Sequence, residues 1–298
     1  MMPRKILHLD LDAFFCSVEE LLDPSLAGKA FAVGGNPQGR GVIASCSYAA
    51  RMKGVRSAMP TSRALQLCPE LLLIRHNHRL YGKYSDEVMS ILRDTSPLVE
   101  QVSVDEAFLD VSDLPQPLRM IAIELQKRVD AETHMPCSLG GASNKLVAKM
   151  ANDYGKRQIR TGKAPRAITI VEPGDEQAFL APLDIQALWG FGPKTADKLR
   201  QRGINRIGQL TELSDFELRA FFGNHYSEIL DRAKGIDTRP VYDSEQEPKS
   251  VSNETTYYSD TDDLEQIKET LRWLSDKVCY RLRKHNLAGS CVQIKIRY

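Results

Sequence analysis

The stretch ILHLDLDAFF at residues 6–15 places two acidic residues at the end of a short apolar run. The run Ile6–Leu11 is typical of a buried strand because it is short and almost entirely apolar. Side chains alternate faces along a strand, so Asp10 and Asp12 should point to one side while Leu11 points into the core. The stretch therefore predicts a strand that presents two carboxylates at its end.

A second acidic pair lies on the turn of a predicted hairpin. Residues 98–102 and 107–111 are predicted as two strands, and only four residues, which include Asp105 and Glu106, separate them. If the first strand lies beside this hairpin in one sheet, Asp10 comes close to Asp105 and Glu106. Three carboxylates in one place repel one another strongly unless cations neutralise them.

These acids have two interpretations. Oxygen ligands without His or Cys suit magnesium rather than zinc, and a pair of magnesium ions is the usual apparatus of in-line phosphoryl transfer. Alternatively, acids at strand ends form turns and caps, and a D-x-D pattern alone favours that structural role. The second acidic pair on a hairpin turn weakens the structural alternative. The spacing therefore predicts metal-dependent phosphoryl chemistry.

The mixture of strands and helices up to about residue 170 predicts an α+β fold. Besides the strands above, the pattern predicts strands at residues 30–33, 42–45, 71–74, 137–141 and 167–170, and helices at residues 14–22, 80–93, 118–133 and 145–153.

The character of the chain changes after about residue 174. Short helices with Gly and Pro punctuation run to about residue 234, and residues 235–248 are polar and aperiodic, as in a linker. A strand at residues 249–257, a helix at 264–284 and a strand at 290–298 follow. Because this last piece leaves a sheet edge and a helix face only partly covered, we expect the chain to stop inside its last domain.

Composition indicates a globular protein of the cytosol. Of the 298 residues, 42% are hydrophobic and 27% are charged, and the net charge is +1. No apolar run is long enough to cross a bilayer, and the six scattered cysteines, without C-x-x-C pairs, indicate reduced thiols. Basic residues cluster in two stretches, which indicates either a phosphate-facing surface or two solvated helix faces: Lys145, Lys149, Lys156, Arg157, Arg160, Lys163 and Arg166, then Lys194, Lys198, Arg200, Arg202 and Arg206.

Four motifs in this order resemble those of the Y-family DNA polymerases, especially the polymerase IV and kappa branch. They are HLDLDAFFCSVE at residues 8–19, ASCSYAARMKGV at 44–55, SVDEAFLD at 103–110 and SNKLVAKMA at 143–151. The resemblance implies a right hand with a ferredoxin-like palm (1–13 and 77–170), small fingers (14–76), a helical thumb (171–234), a linker (235–248) and an apparently incomplete little finger (249–298).

The resemblance also implies the roles of individual residues. Asp10, Asp105 and Glu106 would be the catalytic acids that bind two magnesium ions, with help from the Leu11 carbonyl, whereas Asp12 would be structural. The triphosphate would be held by the Phe14 and Phe15 amides and by the Tyr48, Arg51 and Lys156 side chains.

Phe15 would also act as the steric gate that leaves no room for a ribose 2′-hydroxyl. On periodicity alone it is instead a core aromatic at the start of a helix.

Residues 189–199, WGFGPKTADKL, are predicted to form a helix-hairpin-helix that resembles the thumb element of this family. Gly190 and Gly192 allow close backbone approach, and the start of the following helix offers free amides to a DNA phosphate. Lys194 and Lys198 add positive charge. A lone G-x-G pattern is weak evidence, since many tight turns contain it. Such contacts reach only the DNA backbone, so binding should be insensitive to sequence and sensitive to salt.

The resemblance implies a low-fidelity, template-directed DNA polymerase that bypasses damaged bases during DNA repair, without a second acidic cluster for proofreading. It would use primer-template DNA and dNTPs, act as a monomer at the nucleoid in the cytoplasm, and contact a sliding clamp through a further C-terminal segment. Two alternatives stay open: a nucleotidyl cyclase, and a catalytically inactive DNA-binding accessory protein. The thumb hairpin argues against the first and the three retained acids argue against the second.

Overall fold

The computed structural model describes residues 3–159, 161–243 and 248–297. Arg160, residues 244–247 of the predicted linker and Tyr298 at the end of the predicted last strand lie outside the described residues. The strands of the described part are β1 (Ile6–Leu11), β2 (Phe31–Gly34), β3 (Ile43–Cys46), β4 (Leu72–Ile74), β5 (Leu98–Gln101), β6 (Glu106–Asp110), β7 (Cys137–Ala142) and β8 (Ile168–Ile170).

The helices of the described part confirm the predicted mixture of α and β elements. They are α1 (Phe14–Leu22), α2 (Tyr48–Met52), α3 (Thr61–Leu67), α4 (His78–Thr95), α5 (Leu118–Thr133), α6 (Lys145–Gln158), α7 (Glu176–Leu180), α8 (Pro193–Arg200), α9 (Asp215–Phe222), α10 (Tyr226–Ala233) and α11 (Leu264–Lys284).

The main sheet has the strand order β5-β6-β1-β7-β8, which places the first strand at its centre. β1 runs antiparallel to both neighbours, β6 and β7, and β8 runs parallel to β7. The predicted hairpin is confirmed, since β5 and β6 pair antiparallel. This order brings the end of β1 beside the hairpin turn, as the sequence pattern requires.

The two faces of β1 have different partners. Leu9 and Leu11 belong to the apolar core that α4 and α5 cover, whereas Ile6 belongs to the core beneath α6. Because side chains alternate along a strand, His8 and Asp10 share the face of Ile6 and point towards α6.

Helix α6 lies unusually close to this sheet because two glycines leave room for it. A Cβ atom on Gly140 of β7 would lie 2.0 Å from the Ala148 carbonyl oxygen, and one on Gly155 of α6 would lie 2.1 Å from Thr169 Oγ1. Distances this short exclude any side chain without a backbone shift. The close approach lets short polar contacts form between α6 and the strands beneath it.

A smaller sheet of order β3-β2-β4 lies between α1 and α4 in the chain. β2 is antiparallel to β3 and parallel to β4. Its own apolar cluster includes Ala32, Ile43, Val55, Ala64 and Leu71. This unit positions α2, the short helix that carries Tyr48 and Arg51.

The helical region from α7 to α10 shares a continuous apolar cluster with the underside of α6. Leu180, Leu199 and Leu210 of this region are almost fully buried. The ring of Trp189 lies 5.9 Å from that of Phe108 on β6, measured between centroids. The helical region therefore packs directly on the sheet strand that begins with Glu106.

The first part of the predicted linker, residues 235–243, forms no helix or strand in the described chain but is held against the sheet and α6. Asn144 Nδ2 donates to the Gly235 carbonyl at 2.8 Å, and Arg4 donates to the carbonyls of Asp237 and Arg239 at 2.7 and 3.0 Å. An Asp237 carboxylate oxygen accepts from the Leu146 amide at 3.0 Å. These contacts fix the path of the chain as it leaves α10.

The helix predicted at residues 264–284 is confirmed as α11, but the strands predicted on either side of it are wrong for the described residues. Residues 249–257 and 290–297 adopt irregular structure. A strand forms only where a neighbour satisfies its N–H and C=O groups, and the described part of the chain supplies no such neighbour there. Among the described residues, no helix is both long and apolar enough to cross a membrane.

Candidate active site

The candidate site lies where the central strand, the hairpin turn and α6 meet. Asp10 and Glu106 are register partners in the antiparallel β1–β6 pair, so their side chains leave the same face of the sheet. The Leu11 amide donates to the Asp105 carbonyl at 2.9 Å, which ties the end of β1 to the turn. The structure thus brings the four residues predicted as metal ligands into one place.

Helix α6 covers these acids with a stripe of polar side chains. Lys145, Lys149, Asn152 and Lys156 follow one another at intervals of four, three and four residues and therefore share one face of the helix. Lys149 Nζ lies 2.9 Å from Glu106 Oε2, and Lys156 Nζ lies 2.5 Å from Asp10 Oδ1. Asp10 and Glu106 therefore each pair with a lysine of α6.

The charges of the site are strongly coupled. The pKa of the Asp10 carboxyl is raised to about 7, chiefly by burial; Lys156 opposes the rise, and the Glu106 and Asp105 carboxylates add to it. In contrast, His8 and Lys149 hold the pKa of Glu106 well below its usual range. Repulsion from Glu106 and Asp105 makes a smaller contribution to the raised pKa of Asp10, and a bound cation would relieve that repulsion.

The buried neighbour of these acids, Asp12, has a different environment. Its side chain is fully buried and accepts hydrogen bonds from Ser138 Oγ at 2.9 Å and from the Arg166 amide at 3.0 Å. Lys156 Nζ lies 3.2 Å from Asp12 Oδ1, so Asp10 and Asp12 do point to the same side. Asp12 ties β1 to β7 and to the start of β8, which fits a structural role.

The donor atoms of the site suit a hard divalent cation. Asp10, Asp105, Glu106 and the Leu11 carbonyl supply only oxygen, the ligand type that magnesium prefers. In the described residues, no three His, Cys, Asp or Glu side chains are already arranged around a metal position. The carboxylates point instead to Lys149, to Lys156 and, for Asp105, to Ser103 Oγ at 2.5 Å. The residues fit the ion through the type of their donor atoms.

The start of α1 offers backbone amides beside these acids. Ala13 precedes the helix with a φ of 48°, a left-handed conformation that few residues other than glycine adopt. Its methyl side chain cannot cap the helix, and the first amides of a helix, here those of Phe14 and Phe15, have no partner within it. Such a helix start attracts anions.

Phe15 is fixed by an aromatic stack. Its ring lies 4.3 Å from that of Tyr81 with an interplanar angle of 15°. Tyr81 is almost fully buried, and its hydroxyl donates to Glu19 Oε1 at 2.6 Å. Phe15 itself is only partly buried, and Tyr81 supports one face of its ring.

Tyr48 and Arg51 lie together on α2. The Arg51 guanidinium carbon is 4.6 Å from the centroid of the Tyr48 ring, and Arg51 Nε donates to the Cys46 carbonyl at 3.1 Å. Burial raises the pKa of the Tyr48 hydroxyl, and the nearby charges of Asp12, Lys156 and Asp10 also act on it. The structure therefore brings Tyr48 close to Lys156 and the acids.

The predicted helix-hairpin-helix corresponds to the loop before α8. Gly190 has a φ of 95°, and Gly192 is the residue before the helix, whose first position is Pro193. Lys194 and Lys198 are exposed on α8, and Lys198 Nζ lies 6.0 Å from the centroid of the Phe221 ring. The hairpin thus presents free amides and two lysines to solvent.

The sequence pattern did not single out two residues that contact the acids, Lys149 and His8. Lys149 belongs to a basic stretch and to the motif at residues 143–151, and His8 to the motif at residues 8–19, but neither pattern indicates a contact with the acids. His8 is fully buried, and its Nε2 lies 3.7 Å from Glu106 Oε2. The helical spacing of the α6 lysines, together with the alternation that places His8 beside Asp10, is the signal that could have found them.

Comparison with known proteins covers most of the chain. Residues 9–153 match the impB/mucB/samB family, residues 173–204 the IMS family HHH motif, and residues 248–298 the impB/mucB/samB family C-terminal domain. A DNA polymerase IV of Dehalococcoides mccartyi (strain ATCC BAA-2266 / KCTC 15142 / 195) is 41% identical over 301 aligned residues, which span 100% of this chain and 75% of that protein.

Solved structures show the same fold. A Y-family DNA polymerase chimera, Dbh-Dpo4(243-245)-Dbh, superposes with a TM-score of 0.82 at 26% identity and covers 93% of this chain and 80% of its own. A structure titled insertion ternary complex of Dbh DNA polymerase gives a TM-score of 0.72 at 27% identity, with 80% of this chain and 69% of that chain covered.

Proposed function

The chain belongs to the impB/mucB/samB family of Y-family DNA polymerases, and from this premise we propose that Asp10, Asp105 and Glu106 form its catalytic centre. The protein is a DNA-directed DNA polymerase that adds dNTPs to a primer 3′ end with low fidelity and takes part in translesion synthesis. The observation that carries the site assignment is the pairing of Asp10 with Glu106 across β1 and β6, beside the free amides of α1.

The three acids and the Leu11 carbonyl would hold two Mg2+ ions. When bound, these ions would supply the charge stabilisation that in-line phosphoryl transfer requires. The protein's own contribution is position, because the strand pairing fixes the Asp10 and Glu106 backbones and the Leu11–Asp105 hydrogen bond fixes the turn.

The triphosphate would lie over the start of α1. The Phe14 and Phe15 amides, the Arg51 guanidinium and the Lys156 ammonium are the donors that suit phosphate oxygens. Lys156 now binds Asp10 and Asp12, so it would exchange an aspartate for a phosphate oxygen when the nucleotide binds. Tyr48, next to Arg51, would complete this side of the site.

Phe15 would select the sugar. Its supported ring beside the helix start would contact the deoxyribose, and a 2′-hydroxyl would collide with it. The hairpin of Gly190 and Gly192, with Lys194 and Lys198, would grip the DNA backbone without reading the sequence.

The partners follow from this chemistry. Primer-template DNA and dNTP are the substrates, in keeping with the similar structure that is titled a ternary complex. We also propose that the protein works as a monomer at the nucleoid in the cytoplasm, where its DNA substrate lies, and that a further C-terminal segment contacts a sliding clamp. We assign residues 1–13 and 77–170 to the palm, 14–76 to the fingers, 171–234 to the thumb, 235–248 to the linker and 249–298 to the little finger.

Primer extension tests this function directly. A labelled primer on a DNA template should grow by one nucleotide with the complementary dNTP and Mg2+, and should stay unextended when EDTA removes the metal. Misincorporation opposite the template base should be frequent. A protein that binds the primer-template but never extends it would instead be the inactive accessory protein, and cyclic nucleotide formed without DNA would indicate a cyclase.

A further inference from the structure

Among the described residues, the side-chain contacts of the Glu106 carboxylate reach one of its two oxygens. Lys149 Nζ lies 2.9 Å from Oε2, and His8 Nε2 lies 3.7 Å from the same Oε2. Both contacts come from the α6 side of the sheet. The other oxygen, Oε1, takes part in neither of them. With Oε2 bound on that side, Glu106 leaves Oε1 for a further partner.

The surroundings of His8 hold its Nε2 towards Glu106. Its ring is fully buried and lies 4.7 Å from the Phe108 ring, measured between centroids. Asn152 Nδ2 lies 3.0 Å from His8 Nδ1 and also donates to the carbonyls of His8 and Ser138. Nε2 faces the Glu106 carboxylate, so we assign the neutral tautomer that carries the proton on Nε2, because only that tautomer can donate to the acid.

That Nε2 is a buried nitrogen with no partner at hydrogen-bond distance among the described residues. An unsatisfied buried donor is costly, and the nearest acceptor is Glu106 Oε2. A shift of well under an ångström by the carboxylate would satisfy it. His8 therefore directs a second donor at Glu106 Oε2, the oxygen that Lys149 already binds.

Lys149 is equally constrained. Its side chain is 14% exposed, and its ammonium lies 5.9 Å from the centroid of the Trp189 ring, which belongs to the helical region. Arg239 stacks on the same ring at 4.8 Å. Lys149 is thus held between the acid and the helical region rather than free to swing into solvent.

We infer that His8 and Lys149 are positioning residues that bind Glu106 Oε2 and so aim Oε1 at the divalent cation. The inference rests on the proposed function, because it assumes that Glu106 is a metal ligand. Neighbours that orient a ligand in this way commonly raise metal affinity by about 10- to 100-fold. The alternative is that Lys149 occupies the place of the cation and leaves when the metal binds. Removal of the lysine should weaken metal affinity if Lys149 positions Glu106, and should strengthen it if Lys149 competes with the metal.

The test measures Mn2+ affinity rather than turnover. Electron paramagnetic resonance would follow free Mn2+ during titration of the protein with a dideoxy-terminated primer-template and the next dNTP. Lys149→Met should weaken Mn2+ binding by about 10-fold or more, whereas Lys149→Arg, which keeps a cationic donor, should lose much less. His8→Phe removes the second donor and should also weaken binding, so the test survives if Lys149→Met does not fold.

Lys145→Met is the matched control. Lys145 lies on the same helix face and is even less exposed than Lys149, at 4% against 14%, but it pairs with Glu100 at 2.6 Å instead of with the site. Its loss should leave Mn2+ affinity unchanged even if stability falls. Unchanged or tighter Mn2+ binding in Lys149→Met would overturn the inference. If Asp10→Asn and Glu106→Gln instead bind Mn2+ as tightly as the wild type does, the proposed metal site itself would be overturned.

The wild-type protein gives a second readout without any substitution. If Lys149 stays on Glu106, its amine should resist acylation equally with and without Mn2+, as judged by mass spectrometry of the modified peptides. Exposure of Lys149 upon addition of Mn2+ would show that the lysine competes with the metal, and would contradict the positioning role. Lys127, an exposed lysine on α5, reports the reagent's activity in both conditions.

Discussion

Asp10 of β1 and Glu106 of β6 stand directly opposite one another in an antiparallel strand pair, although 95 residues separate them in the chain. The same helix, α6, supplies a lysine to each: Lys156 to Asp10 and Lys149 to Glu106. Two opposed acids under one basic helix face form a compact charge cluster.

Phe15→Ala should raise ribonucleotide incorporation while primer extension with dNTPs continues. Removing the ring opens space where a 2′-hydroxyl would otherwise collide, so the ratio of kcat/KM for dNTP to that for the matching rNTP should fall by at least about tenfold. Single-nucleotide extension with each substrate measures this ratio. Phe216→Ala is the control, because Phe216 is a phenylalanine that is 83% exposed on α9. An unchanged ratio in Phe15→Ala would reject the steric-gate role.

Tyr81 should matter through its ring more than through its hydroxyl. Tyr81→Leu removes the surface on which Phe15 stacks, so sugar discrimination should fall in the same direction as in Phe15→Ala. Tyr81→Phe keeps the stack and loses only the hydrogen bond to Glu19, which should cost about 1 kcal/mol of stability. Steady-state selectivity and thermal unfolding separate the two effects. Equal selectivity in Tyr81→Leu and the wild type would show that Phe15 needs no support.

The anchored segment after α10 should make stability depend on pH. Burial alone raises the pKa of Asp237, but hydrogen bonds from Arg239 and from the Leu146 amide outweigh it, and the net pKa lies below its usual range. The unfolded chain then binds the proton more tightly, so the stabilisation is complete above an unfolded pKa of about 4 and is lost as pH falls through the lower folded value.

Thermal unfolding of Asp237→Asn tests this dependence. The variant should melt below the wild type at pH 7, and the difference in Tm should shrink as the pH approaches 3. Asp262→Asn, at an exposed aspartate, should show no such trend. A Tm difference that stays constant from pH 7 to pH 3 would mean that the carboxylate charge of Asp237 does not contribute.

The hairpin lysines should contribute to DNA affinity in a salt-dependent way. Replacing both Lys194 and Lys198 with alanine removes two cations from α8, so the slope of log affinity against log salt should decrease in magnitude by about 1 to 2. Fluorescence anisotropy with primer-templates of two unrelated sequences measures the slope, and both sequences should lose affinity equally. Lys127→Ala serves as the control. If the double variant has the same salt slope as the wild type, Lys194 and Lys198 do not contact the DNA backbone.

Local sequence pattern was enough to predict the centre of the fold. The apolar run Ile6–Leu11 and the hairpin around Asp105 and Glu106 have strand signals that do not depend on distant residues, and both are confirmed. Alternation along β1 correctly placed Leu11 in the core and Asp10 beside Asp12. The roles of the residues came from the family resemblance and stay predictions.

The place of Lys156 on the α6 face could not be predicted because the helix was predicted too short. The pattern ended it at residue 153, but α6 continues to Gln158 and carries Lys156 onto the same face as Lys149. Gly155 lowers helix propensity locally. In the folded protein it is favoured instead, because only a glycine lets the helix approach Thr169 so closely. The strands predicted around α11 failed for a related reason, since strand formation depends on partners that no local pattern reveals.

Single-turnover nucleotide addition by acid variants tests the central claim most directly. With primer-template bound and Mg2+ saturating, Asp10→Asn and Glu106→Gln should each slow the chemical step by at least about a thousandfold, and the double variant should be hardly slower than either alone, because both acids serve one metal centre. DNA affinity should be retained in all three. Near wild-type rates in either single variant, or fully multiplicative losses in the double variant, would contradict a shared catalytic site.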